Sequence, residues 1–381
     1  MDFALSDDQV AIYDMAKGFG SDAIAPHARE WETAGTFPKA LMAQFGELGL
    51  AAMYVPEDMG GSGLTRLDAT LVFEALSRAC PTIAAFLSIH NMCSWMVATW
   101  GSDTLRGAHL QAMIAGQKVA SYCLTEPGSG SDAVALKTRA DRTNEGWALT
   151  GTKAFISGGG FSDLYIVMCR TGSDGADGIS SILLEDGTQG LSFGALEDKM
   201  GWRAQPTAQV QMDAAFAPAE NLLGEEGHGF RYAMKGLDGG RLNISACALG
   251  AAQAVFEQTL IYMRDRKAFG RSIDQFQALQ FRIADMEIEL QTARVFLRQA
   301  AWKLDQGHAD ATKHCAMAKR YVTDVAFKVA NDALQLHGGY GYLADYGVEK
   351  VVRDLRVHQI LEGSNEIMRL IVARSLLAEA A

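Results

Sequence analysis

Four short stretches of this chain hold residues whose types and spacing could do chemistry. In "RVHQILEGSNEIMRLIVARSLL" (356–377), Glu362 and Gly363 stand just before a run of helical spacing that begins near Ser364. A carboxylate there lies near exposed N–H groups, which stabilise its anion. Taken alone it reads as an ordinary helix-start acid. In "YCLTEPGSGSDA" (122–133), a strand-like run meets a glycine-rich turn, and Gly128, Gly130 and Ala133 fit a dinucleotide fingerprint. "QLHGGYGYL" (335–343) sets three glycines among aromatics, so that backbone could approach a bound group closely; alone it reads as a turn. "RDRKAFGRSI" (264–273) has four cations and reads either as a solvated loop or as a pyrophosphate clamp, since Arg grips phosphate oxygens in fork geometry.

The elements that must position these stretches divide by periodicity. Residues 1–117 read helical, with Leu41, Phe45 and Leu48 at helical spacing, a loop at "YVPEDMGGSG" (54–63), and a helix resuming near Thr65. From Lys118 the pattern turns to strands: "KVASYCLTE", "WALTGTKAFIS", "LYIVMCRT", "ISSILLE" and "TAQVQMD". No gap among them holds a well-patterned crossover helix, so an antiparallel barrel or sandwich is expected over 118–228. From Gly229 the chain is helical again. Phe276, Leu279, Ile283, Met286, Leu290, Ala293, Phe296 and Ala300 make one stripe, and Cys315, Ala318, Val322, Val325, Val329 and Leu336 make another. Long striped helices bury their stripes against each other, which predicts a four-helix-bundle domain over 229–381. The whole is an α+β multidomain chain in the order helix, sheet, helix. A dinucleotide fingerprint needs a strand, turn and helix in alternating β and α elements, and here strands follow the turn. A Rossmann site for NAD is therefore rejected.

Bulk properties narrow the function classes. The 381 residues suffice for two or three domains, and 49% are apolar, which excludes disorder. A net charge of −11 disfavours nucleic acid. The six cysteines are scattered without C-x-x-C, so free buried thiols are expected. None of the eight histidines has ligand spacing, and no metal site is expected. No apolar run reaches the ~18 residues of a membrane span. The start "MDFALSDDQV" is not a signal peptide, so a cytoplasmic protein is the expectation; an organelle protein numbered from its mature end would look the same.

Together, "YCLTEPGSGSD", "GTKAFISGG", "RKAFG", "QLHGGYGY" and "RVHQILEGSNEIMR" resemble the acyl-CoA dehydrogenase family over essentially the whole length. "IHNMCSWM" (89–96), "GLDGGRLNI" (236–244) and "HQILEGSNE" are most similar to its isobutyryl-CoA dehydrogenase branch. The resemblance implies FAD as cofactor. Tyr122, Leu124, Thr125, Gly130 and Ser131 would then line the flavin, with Ser131 also meeting the acyl-CoA. Phe155, Ile156 and Ser157 would cover another side of it. Arg266, Phe269, Phe276 and Gln277 would hold the pyrophosphate or adenosine from the neighbouring subunit, and Gln335, Gly338 and Gly339 would do likewise. Ser364, Asn365 and Glu366 would touch the cofactor near the active site. Asp238, Arg241, Leu361, Gly363 and Arg374 would bind substrate.

The resemblance also implies a reaction: loss of two hydrogens from the Cα–Cβ bond of an acyl-CoA, with Glu362 taking the α-proton. Some relatives carry the base just before the substrate-segment arginine; that position is Gly240 here, which leaves Glu362 the one family base position held by an acid. Leu361 stands where straight-chain relatives often have tyrosine, and Gly239 and Gly240 remove side chains from a helix expected to line the pocket. A wide but short pocket suits isobutyryl-CoA, as in valine breakdown, with 2-methylbutyryl and butyryl as alternatives. Electrons would pass to an electron-transfer flavoprotein, and the assembly would be a homotetramer. An oxidase passing electrons to O₂, and a non-catalytic flavin-bearing binding protein, are the competing functions. Trp202, in "DKMGWRAQPT", is expected to pack or anchor a loop, or else to lie near the flavin edge.

Overall fold

The computed structural model describes residues 4–380. Six helices come first: α1 (Asp7–Phe19), α2 (Ala28–Ala34), α3 (Ala40–Glu47), α4 (Arg66–Ser77), α5 (Pro81–Trp100) and α6 (Asp103–Ile114). Their starts are encoded locally. Ser6 with Gln9, and Thr65 with Asp68, form reciprocal capping boxes at α1 and α4, and Ser102 caps α6.

Seven strands follow: β1 (Ala120–Cys123), β2 (Arg139–Arg142), β3 (Gly146–Ser157), β4 (Leu164–Arg170), β5 (Ile179–Glu185), β6 (Leu191–Phe193) and β7 (Thr207–Pro218). They form one sheet in the order β1-β4-β2-β3-β7-β6, with β5 added on β4. Most pairs are antiparallel, as expected, but the sheet is mixed. β1 runs parallel to β4, Ala120 opposite Leu164, and β2 meets β4 in parallel at Arg139 and Arg170. The expectation of a purely antiparallel sheet is corrected here. A parallel pair needs a long return path, and the turn at 124–136 plus the β2–β3 hairpin supplies it without a helix.

The chain then enters α7 (Gly229–Asp265), a short hairpin of β8 (Lys267–Ala268) and β9 (Arg271–Ser272), α8 (Gln277–Asp305), α9 (Ala311–His337), α10 (Val348–His358) and α11 (Asn365–Glu379). The cationic stretch 264–273 is thus a hairpin, turning through Phe269 and Gly270 at φ +52 and +80. An 18-residue window of α7 has mean hydropathy 1.3, enough by length and composition to cross a membrane, but two thirds of it (67%) is buried inside the protein. One core joins the first helices to the last: Phe45, Phe73 and Phe86 pack with Leu242 and Leu249 of α7, Leu290 of α8 and Val322 of α9. A separate core fills the sheet around Cys123, Trp147, Leu149 and Tyr165. All six cysteines are buried and free. On the outer face of α8, Phe281, Ile288, Val295 and Trp302 recur every seven residues and are 61, 62, 51 and 47% exposed.

Candidate active site

The carboxylate of Glu362 sits in the turn between α10 and α11. Its backbone is left-handed (φ +55), and Gly363 follows at φ +85. A non-glycine residue held there costs roughly 1–3 kcal/mol, so neighbouring contacts must over-determine it. They do. Lys319 of α9, fully buried, donates to the Gly363 carbonyl at 2.8 Å and to Asn365 Oδ1 at 2.9 Å. Asn365 in turn donates to Asp324 Oδ1 at 2.7 Å and to Thr323 Oγ1 at 3.1 Å. Ser364 caps α11. Leu361 packs with Ala85 of α5, Ile244 of α7, Val357 and Trp202.

Glu362 Oε2 is buried and has no hydrogen-bond partner. It lies over Gly240 of α7, where an added Cβ would stand 2.7 Å from it. Burial raises the affinity of this carboxyl group for its proton, and the nearby Arg241 and Lys319 cations oppose the rise. Lys319 is itself pushed down to about 8 by burial, with Glu362 acting the other way. No acceptor among the described residues takes the backbone N–H of Glu362.

The two glycines beside the base do not leave open space. The guanidinium of Arg66, stacked 3.6 Å from the Tyr54 ring centroid, fills the place above Gly239, where a Cβ would meet Nη1 at 2.4 Å. The expectation that Gly239 and Gly240 widen the pocket is corrected accordingly: Arg66 and the base occupy that volume. Ala85 of α5 and Ile244 of α7, with Trp202, form the apolar cluster against which the neighbouring Leu361 packs. One step along both helices, Asn243 donates to Ser88 Oγ at 3.1 Å and accepts from Tyr54 Oη at 2.7 Å.

The turn at 122–131 lies along β3. Ala154 N–H donates to the Thr125 carbonyl at 2.8 Å. Lys153, wholly buried, donates to the Leu124 carbonyl at 3.0 Å and to Glu126 Oε1 at 2.8 Å. Glu126 also accepts the N–H groups of Lys137 and Thr138. Gly130 and Ser131 are exposed on this fixed turn, with nothing within 4 Å of a Cβ added at Gly130. Tyr122 Oη and Gln205 Oε1 are buried without partners, and Gln205 Nε2 donates to Ser157 Oγ at 2.5 Å. Open glycines beside unpartnered polar atoms fit a flat ligand with polar edges. Phe155, left-handed at φ +58 and 66% exposed, and Ser157 turn outward from β3. Ile156 does not: its side chain belongs to the sheet core, so only its backbone could meet a ligand.

A second group lies at the far end of α9. Arg266 stacks over Tyr340 at 5.4 Å, and Phe269 and Phe276 meet edge to face. Gln335, Gly338, Gly339 and Gln277 are exposed there, and Phe269 is 95% exposed. Eighteen residues separate Lys319, beside the base, from His337, about 27 Å of helix.

Asp238 and Arg241 are buried and paired with each other at 2.6 Å, and Thr312 Oγ1 donates to the second Asp238 oxygen at 2.6 Å. The structure therefore sets them beneath the base, not on an open face. Arg374 and Glu366 lie on the exposed side of α11. Trp202 is anchored: its backbone N–H donates to buried Asp354 Oδ1 at 2.6 Å, and its ring meets His358 edge-on. Asp354 also takes Lys350 Nζ at 2.5 Å and the Thr82 hydroxyl at 3.2 Å, which joins all three domains behind the site. No group of three or more metal-ligating side chains occurs among the described residues.

Lys319, Lys153, Glu126, Arg66 and Asn243 were absent from the sequence-based list. Glu126 and Lys153 stood inside quoted motifs and were open to suspicion. A lysine on an apolar stripe, as at 319, leaves no sequence signal distinguishing a solvated residue from a buried one.

The chain matches three family models in order: the acyl-CoA dehydrogenase N-terminal domain over residues 6–117, the middle domain over 121–215 and the C-terminal domain over 227–377. It is 48% identical over 375 residues to the mitochondrial isobutyryl-CoA dehydrogenase of Bos taurus, covering 98% of this chain and 90% of that one. Its fold is similar to that of butyryl-CoA dehydrogenase from Megasphaera elsdenii, with TM-score 0.95, 37% identity and coverage of 99 and 100%. It is similar too to an FAD complex of PigA, with TM-score 0.95, 31% identity and 99% coverage of both chains. The cofactor of such proteins is FAD, and the turn at 122–131 has the open, polar-edged form that suits it. The chain belongs to the acyl-CoA dehydrogenase family.

Proposed function

We propose that this enzyme converts isobutyryl-CoA to methacrylyl-CoA, as in valine breakdown, with Glu362 removing the α-proton. One observation carries the reading: an unpartnered, buried carboxylate oxygen resting on Gly240. A carboxylate already satisfied by hydrogen bonds would be a weak base; this one has a lone pair free. Burial strengthens its basicity, while Arg241 and Lys319 keep the anion available. The unpartnered N–H of Glu362 is suited to the thioester oxygen, where negative charge grows as the proton leaves.

When bound, FAD supplies the hydride acceptor for the β-carbon. The protein's own part is to hold the acyl group between Glu362 and the 124–131 turn and to exclude water. Leu361, next to the base, packs on Ala85, Ile244 and Trp202 and presents no polar group, which supports a small, branched acyl group. The 48% identity to a protein named isobutyryl-CoA dehydrogenase supports the same substrate. One methylene is worth only about 1–3 kcal/mol in a hydrophobic pocket, so butyryl- and 2-methylbutyryl-CoA react more slowly but measurably.

The cofactor spans two subunits of a homotetramer in this reading. The Arg266–Tyr340 group lies at the end of α9, about 27 Å along that helix from Lys319 beside Glu362, and a neighbouring subunit brings its own copy of that group to the flavin-side turn. Electrons leave to an electron-transfer flavoprotein in the cytoplasm, or in the matrix if the chain is imported.

The test is anaerobic bleaching of the flavin. Glu362→Gln keeps the yellow cofactor and loses nearly all reduction by isobutyryl-CoA; near-normal reduction would remove Glu362 from its role. In a panel of isobutyryl-, 2-methylbutyryl-, isovaleryl-, butyryl- and octanoyl-CoA, the first bleaches fastest. Fastest bleaching by octanoyl-CoA would overturn the substrate.

A further inference from the structure

We propose that Lys319 is a positioning residue for the base: it fixes the strained Glu362–Gly363 turn through the backbone and faces the carboxylate as a cation without binding it. The inference rests on Glu362 as base and adds a second residue to that step.

Three observations lead there. Lys319 is fully buried in the middle of α9, far from the solvent a lysine ordinarily reaches. Its ammonium donates to the Gly363 carbonyl (2.8 Å) and to Asn365 Oδ1 (2.9 Å), which brackets the turn on its C-terminal side. No carboxylate among the described residues lies within ion-pairing distance of it, so its charge is not spent on a partner. Burying an ammonium this way carries a desolvation penalty, and a neutral residue of similar size would avoid it. The burial therefore makes sense where the charge has work to do. A direct ion pair with Glu362 would tie up the oxygen that must take a proton. Holding Gly363 instead sets the direction of the carboxylate and leaves Oε2 free.

Other charged groups share this space. Glu362 is faced by Arg241 from α7 and by Tyr122 from β1, whose phenol is pushed up partly by the carboxylate. Lys319 is faced by Glu362, Arg241, Asp324 from α9 and Glu366 from α11. Arg241 is already engaged with Asp238, so removing Lys319 withdraws the cation that has no carboxylate of its own.

The experiment is a pH profile of kcat and kcat/KM with isobutyryl-CoA on the FAD-loaded enzyme, comparing Lys319→Met, Lys319→Arg, Asn365→Ala and Glu362→Gln. Lys319→Met keeps its flavin, changes KM little, and loses kcat by about 10-fold or more, because the base is less well aimed. Its acid limb moves up, since the anion has lost a neighbouring cation. Lys319→Arg restores the limb. Asn365→Ala, which keeps the charge, lowers kcat without moving the limb. A Lys319→Met enzyme with wild-type kcat and limb overturns the proposal, as does a limb that Lys319→Arg fails to restore. If Lys319→Met does not fold, wild-type kcat in Asn365→Ala overturns it. Glu362→Gln separates the two claims: an inactive Glu362→Gln beside a normal Lys319→Met removes Lys319 alone, whereas an active Glu362→Gln removes the base.

Discussion

Gly240 shows how tightly the base is accommodated. An alanine there would put its Cβ 2.7 Å from Glu362 Oε2. The carboxylate is the end of a flexible side chain and can swing aside, so the fold tolerates the change. Alanine also favours a helix interior over glycine by about 1 kcal/mol. Gly240→Ala therefore keeps or raises Tm in calorimetry while kcat falls by about 10²-fold, the usual cost of misaiming a reacting group by an ångström. Unchanged kcat would mean the carboxylate turns elsewhere during the reaction. In the sequence this acid is singled out only by the family resemblance of "LEGSNE" and by the glycine at the alternative base position. Its electrostatic balance is not legible there. A helix start lowers a carboxyl's proton affinity and burial raises it, and only the packing shows that burial is the largest influence.

At the scale of elements, two histidines join the helices to the sheet and to the site in their neutral form. His90 of α5 lies within hydrogen-bond reach of the Met113 carbonyl (3.0 Å) of α6 and accepts the Ala120 N–H of β1 at 3.2 Å, which requires an unprotonated Nδ1. His358 of α10 lies 3.1 Å from the Ile244 carbonyl of α7. Burial pushes both down to about 4. The unfolded chain binds their protons below about 6.5, and the folded chain does not until about 4. Stability therefore falls as pH drops through that window, by at most roughly 3 kcal/mol per histidine. Calorimetry from pH 7 to pH 4.5 should show Tm falling steeply, and His90→Gln should flatten the slope. A flat wild-type profile would mean the histidines are charged in the fold. The element types themselves were readable, because periods of 3.6 and 2 survive in a single sequence. The pairing of β1 with β4 was not. Strand partners are distant in sequence, and β1 carries the same alternation whichever way its neighbour runs.

At the scale of the whole molecule, the stripe of Phe281, Ile288, Val295 and Trp302 has no cover within one chain. Its seven-residue spacing is that of a helix seam, which a second helix can fill. Ile288→Glu is expected to break the assembly, seen in sedimentation velocity as a smaller particle at micromolar concentration. If the cofactor spans subunits, the variant also loses FAD on dialysis. A full-sized particle would mean that this face is not a subunit contact.

The sequence by itself determined the three-part order of helix, sheet and helix, the capped helix starts and the glycine-rich turn after β1. These are local: each depends on residue types a few positions apart. Only the tertiary structure decided that Arg66 fills the space above Gly239, that Asp238 and Arg241 are buried as a pair, that Ile156 turns into the sheet core, and that a lysine 43 residues before Glu362 bonds to the turn that carries it. Those facts depend on which distant side chains share one small volume, and burial is a property of the packed whole, which no spacing along the chain records.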